Sequence, residues 1–76
     1  KNMINLEKIK IELQNAIKNS PKTQVEIAKK IGVKQQTVAQ YLSGRAMPAL
    51  DTFANLCAVL DLDANEILCV ADYKHN

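Results

Sequence analysis

The 76-residue chain has little of what metal sites and disulfide frameworks require. Its one histidine, His75, is near the end of the chain, and Cys57 and Cys69 are twelve positions apart with no other cysteine or histidine near either. This spacing fits neither a zinc motif nor a disulfide framework, so we expect no metal and no cofactor. Because Cys57 falls on an apolar helix face, we predict that it fills the core rather than acting as a reactive thiol.

Long apolar runs and glycine-rich loops are also missing. No stretch approaches the roughly 18 apolar residues of a membrane span, and no charged-then-apolar leader is present, so we expect a cytoplasmic protein without membrane contact. No phosphate-binding glycine loop and no nucleophile beside a base can be found. The chain is therefore not expected to be an enzyme.

What the chain does have is an uneven distribution of charge. Residues 1–48 carry nine Lys or Arg and three Glu, which gives +6, whereas residues 49–76 carry one Lys and five acidic residues, which gives −4. The basic part is a candidate for binding a polyanion. With 47% apolar residues but three aromatic ones, the chain can still bury the core of a small helical fold.

Apolar periodicity predicts a first helix over residues 4–18. Ile4 and Ile11 lie on the opposite side of this helix, and we predict that they pack against the C-terminal segment, with a partner surface as the alternative. The expected buried stripe consists of Leu6, Ile9, Leu13, Ala16 and Ile17.

Thr23 and Glu26 have the spacing of a capping box, which predicts a second helix over residues 24–31 that ends at a left-handed Gly32. After a very short connection, a third helix ends at residues 43 and 44. The residues that the second helix should bury are Val25, Ile27, Ala28 and Ile31.

A fourth helix is predicted over residues 50–60, after a loop fixed by Pro48. Asp63 and Glu66 have the spacing of another capping box and open a fifth helix that should reach about Cys69, followed by a tail, residues 71–76, that we expect to fray. The face that the fourth helix should turn inward consists of Leu50, Phe53, Ala54, Leu56, Cys57 and Leu60.

The third helix combines an apolar back with an amide-lined front. At about 100° per residue, Val38, Tyr41 and Leu42 share one side, and three glutamines face away from it. A glutamine amide can pair in bidentate fashion with N6 and N7 of adenine in a DNA major groove. A single exposed glutamine would more simply be a helix former, but three on one arc favour base reading.

Residues 23–68, TQVEIAKKIGVKQQTVAQYLSGRAMPALDTFANLCAVLDLDANEIL, resemble the DNA-binding domain of the Cro and lambda-repressor type, the XRE family. The matching features are the TQ opening, the IGV turn, QQT, YLSG and the segments P-x-L-x-T-F and D-x-x-E-I-L. QQTVAQ is most similar to recognition helices of lambdoid phage repressors. The resemblance implies one all-α, compact five-helix lambda-repressor-like domain over residues 1–76, with a helix-turn-helix at about 23–44.

The resemblance also implies roles for individual residues. Two departures from the family pattern concern this site: Lys34 replaces the usual Ser or Thr cap of the recognition helix, and Met47 replaces a common basic residue. The implied base-contacting residues are Gln35, Gln36, Ala39 and Gln40. The implied phosphate-contacting residues are Gln24, Lys34, Thr37, Ser43 and Arg45.

We therefore expect a sequence-specific transcriptional regulator, most simply a repressor that binds a palindromic double-stranded DNA operator as a homodimer. Its dimer surface should involve the fifth helix and the tail, with Val59, Leu68 and Val70. The alternative is an antitoxin that binds a toxin protein and regulates its own operon. In that case Ile4, Ile11 and the acidic C-terminal half would be partner surfaces.

Overall fold

The computed structural model describes residues 3–71, which form five α-helices and, over that range, no strand. The predicted all-α, five-helix fold is confirmed. Residues 72–76, which include His75 and most of the tail predicted to fray, lie outside the described residues. The helices are α1 (Leu6–Lys18), α2 (Gln24–Ile31), α3 (Gln35–Ser43), α4 (Leu50–Leu60) and α5 (Ala64–Ile67).

The core is built from one fully buried side chain on each of the first four helices. Leu13, Ile27, Val38 and Leu56 are at most 1% exposed. Helix α2 packs against α3 and α4, while α1 packs against α3 and α5. Because burying an aliphatic side chain of this size stabilises a fold by about 1.5–3 kcal/mol, these four residues hold the helices in their relative positions.

The start of α2 is held by the predicted capping box. The Glu26 N–H donates to the Thr23 hydroxyl at 3.1 Å, and the Thr23 N–H donates to the Glu26 carboxylate at 2.8 Å. The hydrogen bond from the Thr23 backbone, that from the Thr23 side chain, and nearby Lys22 and Lys30 lower the pKa of Glu26. Because this pKa is lowered, the stability that the Glu26 carboxylate contributes is present above the ordinary pKa range of Glu. That stability is lost as the pH falls through the lowered pKa.

Removing the Thr23 hydroxyl should weaken this cap. We expect Thr23→Ala to lower the free energy of unfolding by about 0.5–2 kcal/mol, since the Glu26 N–H loses its acceptor. Urea denaturation of both proteins measures the difference. Thr23→Ser keeps a hydroxyl and should stay close to the parent protein, so equal midpoints for the Ser and Ala variants would contradict this role.

A three-residue turn, residues 32–34, joins α2 to α3. Gly32 adopts the predicted left-handed conformation, with φ 75°, and the Val33 N–H donates to the Ala28 carbonyl at 3.0 Å. Lys34 is the N-cap of α3 and makes no side-chain capping hydrogen bond, as its chemistry predicts. Helices α2 and α3 therefore form a helix-turn-helix at the predicted position.

Several residues predicted to be buried are instead on the surface. Leu6 is 55% exposed, Val25 44% and Leu50 85%, and Ala54 is also exposed. The first three occupy the first or second position of their helices. A side chain in the first turn of a helix is buried only where another element extends past that turn, which helical periodicity does not specify.

The predictions for the two ends of the fold were also partly wrong. Over residues 3–71, α5 packs on α1 but leaves Ile11 54% exposed, contrary to the predicted packing of Ile11 against the C-terminal segment. Ile4 is half-buried and precedes the helix, because the Asn5 side chain caps α1 by accepting from the Lys8 N–H at 2.9 Å.

Helix α5 is shorter than predicted, because it ends at Ile67 and Cys69 has a left-handed φ of 64°. Asp63 accepts from the Asn65 N–H at 2.9 Å, so within residues 3–71 this cap lacks the reciprocal bond of a capping box. Cys57 and Cys69 are buried free thiols. Burial, and next the charge of Asp63, raise the pKa of Cys57, which agrees with its predicted role as core filler.

Candidate nucleic-acid interface

Helix α3 separates its apolar and polar residues as predicted. Val38 is 0% exposed and Tyr41 6%, and Leu42 packs against the same core. Burial raises the pKa of the Tyr41 phenol. The four predicted base-contacting residues all lie on the solvent side of the helix: Gln35, Gln36, Ala39 and Gln40 are exposed. The buried back fixes which way these side chains face.

Three of those four residues line a shallow depression of about 320 Å³. Its walls are formed by Gln36, Ala39, Gln40, Ser43 and Arg45. The α3 residues among them follow helical spacing, and Arg45 lies just beyond the helix end. Gln35 is about 100° from Gln36 around the helix and borders this surface rather than lining it. The depression thus offers two amides, a methyl, a hydroxyl and a guanidinium side by side.

The C-terminal end of α3 is held by the Gln40 carbonyl. This oxygen accepts from the Arg45 N–H at 3.0 Å, the Ala46 N–H at 3.3 Å and the Ser43 hydroxyl at 3.1 Å, and the Gly44 N–H also donates to it. The arrangement fixes the backbone of Arg45 against the helix. Because the Ser43 proton is used inside the protein, this hydroxyl must rotate before it can donate to a phosphate.

The other predicted phosphate contacts surround the turn. Gln24 is the first residue of α2 and is half-buried, Lys34 is exposed at the start of α3, and Thr37 is half-buried one turn later. The N–H groups in the first turn of a helix have no intrahelical acceptor, and the capping box satisfies one of those in α2. The first turn of α2 therefore still offers donors to an anion.

One side chain near this surface was not predicted from the sequence. Gly44 follows α3 with φ 79°, and a Cβ built on it would lie 2.5 Å from Nε2 of Gln14 in α1. The Gln14 amide therefore occupies the space that any other residue at position 44 would fill. Thirty positions separate the two residues, and a glycine at a helix end signals only the left-handed turn.

Within residues 3–71, no helix combines the length and apolarity required to cross a membrane. The same part of the chain holds no group of three His, Cys, Asp or Glu residues placed to bind a metal ion.

The fold is all-helical, and its capped second helix is followed by a third helix with one buried and one polar side. These features define a class, the helix-turn-helix DNA-binding proteins. The family described as Helix-turn-helix matches residues 13–67. The chain belongs to this family, and its resemblance to the XRE type is confirmed. It is a DNA-binding transcription regulator.

A solved structure supports this assignment. The SOS-response transcriptional repressor LexA from Eubacterium rectale superposes with a TM-score of 0.70 at 29% identity. The similarity covers 87% of this chain and 73% of that one. Among curated proteins, none matches the chain.

Proposed function

We propose that the protein is a repressor that binds a palindromic operator as a homodimer, with α3 in the major groove. The observation that carries the proposal is the exposed front of α3, where the amides of Gln36 and Gln40 line one depression with Arg45. A single recognition helix contacts only a few base pairs, so specificity requires two half-sites. Their centres should lie about 10–10.5 bp apart, or a multiple of that distance.

Individual roles follow from chemistry and position. Gln35, Gln36 and Gln40 can each pair with adenine N6 and N7, and the Ala39 methyl can contact a thymine methyl. Arg45 supplies the charge for a phosphate at the C-terminal end of α3, and Lys34 supplies it at the N-terminal end. The remaining phosphate contacts that we assign are Gln24, Thr37 and Ser43.

Selection of bound duplexes from a random pool tests the proposal directly. We expect an inverted repeat to emerge, because a symmetric dimer presents the same helix to both half-sites. Sedimentation with the selected duplex should then give two protein chains per duplex. A monomer that saturates one half-site would contradict the dimer, and a pool without enrichment would contradict sequence-specific binding.

Arg45→Ala should weaken binding without changing sequence preference. Loss of one phosphate contact should lower affinity equally for the selected and random duplexes and reduce the salt slope of log K by about 0.9. Titrations at several salt concentrations measure both. Arg45→Lys keeps the charge and should keep the slope, and Lys8→Ala removes an exposed charge on α1 as a matched control. A loss confined to the selected duplex would contradict a phosphate contact.

A second candidate function is that of an antitoxin. Ile11 and Leu6 on α1 and Val70 after α5 are all about half exposed, so apolar area is available for a protein partner. Co-expression with a small protein encoded beside this gene tests the idea. A stable complex that still binds the selected duplex would favour it, and two proteins that elute separately would exclude that pair.

A further inference from the structure

The Gln14 side chain is placed beside the DNA-facing surface although it belongs to α1. Its Nε2 lies against Gly44, the residue between Ser43 and Arg45. Consecutive Cα atoms are about 3.8 Å apart, so the Gln14 amide is within a few ångströms of the backbone of both neighbours. Packing of α1 against α3 holds it there.

The Gln14 amide has donors to offer. It is half-buried, and within residues 3–71 its side chain makes no hydrogen bond. Because no buried side-chain nitrogen or oxygen within residues 3–71 lacks a hydrogen-bond partner, the unbonded Gln14 amide is open to solvent and can exchange water for another acceptor. The Gln40 carbonyl already accepts several donors at this helix end, and Arg45, one of the assigned phosphate contacts, is the residue after Gly44.

We infer that Gln14 donates a hydrogen bond from Nε2 to the operator phosphate that Arg45 contacts. Helix α1 thereby adds a contact with the DNA phosphate backbone to the helix-turn-helix, beside Gly44, whose left-handed φ favours glycine. The inference rests on the proposed function, since it requires α3 to face DNA.

Substitution of Gln14 separates hydrogen bonding from packing. Gln14→Met has a similar shape and length but no donor, so it should keep the thermal midpoint while lowering affinity about 3- to 10-fold for selected and random duplexes alike. The salt slope should stay unchanged, because a neutral amide releases no counterion. Gln14→Lys should bind more tightly at low salt, with a slope steeper by about 0.9.

A negative charge introduced at position 14 tests the same contact, and the same charge at position 15 is its control. Gln14→Glu places a carboxylate beside the phosphate and should weaken binding more than Gln14→Met does. Asn15→Asp adds the same charge at an exposed position about 100° around α1 and should have little effect at physiological salt.

The outcomes distinguish this inference from the proposed function. If the parent protein binds the selected duplex and Gln14→Met and Gln14→Lys bind it equally well with the same slope, the Gln14 contact is wrong and the proposed function stands. If Gln14→Met loses affinity only in proportion to lost folding, Gln14 is a packing residue and the inference also fails. If the parent protein binds no duplex, both are wrong.

Discussion

Leu56→Ala is expected to lower the free energy of unfolding by about 2–5 kcal/mol. Leu56 is 0% exposed in the middle of α4, so the shorter side chain leaves a cavity that the surrounding helices cannot fully close. A small protein is stable by only on the order of 5 kcal/mol, so a loss at the upper end of this range would leave a large fraction of the variant unfolded. Urea denaturation followed by circular dichroism measures the loss.

The same helix supplies a matched control. Leu50→Ala makes the identical chemical change at a residue that is 85% exposed, so it should alter the free energy of unfolding by about 0.5 kcal/mol or less. Comparable losses at the two positions would show that α4 does not turn Leu56 inward and Leu50 outward.

Gln36→Ala should reduce affinity for the selected operator by about 1–3 kcal/mol and relax the preference at one base pair. The amide lines the depression on α3, where a bidentate pair with adenine would be lost while every phosphate contact remains. Titration of the selected duplex, of its single-base variants and of a random duplex measures the effect. Affinity for the random duplex should change little.

Asn55→Ala controls for loss of an exposed amide elsewhere. Asn55 lies on α4, outside the helix-turn-helix, and its replacement should leave operator affinity unchanged. If Gln36→Ala instead weakened the selected and random duplexes to the same extent, Gln36 would contact the phosphate backbone and not a base.

Local signals in the sequence were sufficient to predict the helix-turn-helix. Thr23 and Glu26 predict the start of α2, and Gly32 predicts its end, because each depends on hydrogen bonds or backbone angles within a few residues. The same holds for the buried back of α3, since Val38 and Tyr41 follow from helical spacing alone. The residues on the opposite side of α3 are exposed because they face away from this buried side.

Features that depend on distant parts of the chain were missed. Leu6 and Leu50 have the right angular position for burial, but whether another helix reaches them depends on helix lengths and packing angles. The meeting of Gln14 with Gly44 depends on how α1 crosses α3 and leaves no periodic pattern. The assignment of individual DNA contacts stays a prediction for the same reason, because it depends on a docking geometry that the chain alone does not contain.

The several hydrogen bonds to the Gln40 carbonyl should reduce the entropy that the protein loses when it binds DNA. Since Arg45 and Ala46 already donate their amide protons to this carbonyl, the segment after α3 is preorganised before DNA arrives. Little backbone entropy should then be lost when Arg45 meets a phosphate, which leaves more of the contact energy available as affinity. The same two amides should exchange slowly with deuterium in the free protein, which makes this rigidity visible by NMR before any operator is added.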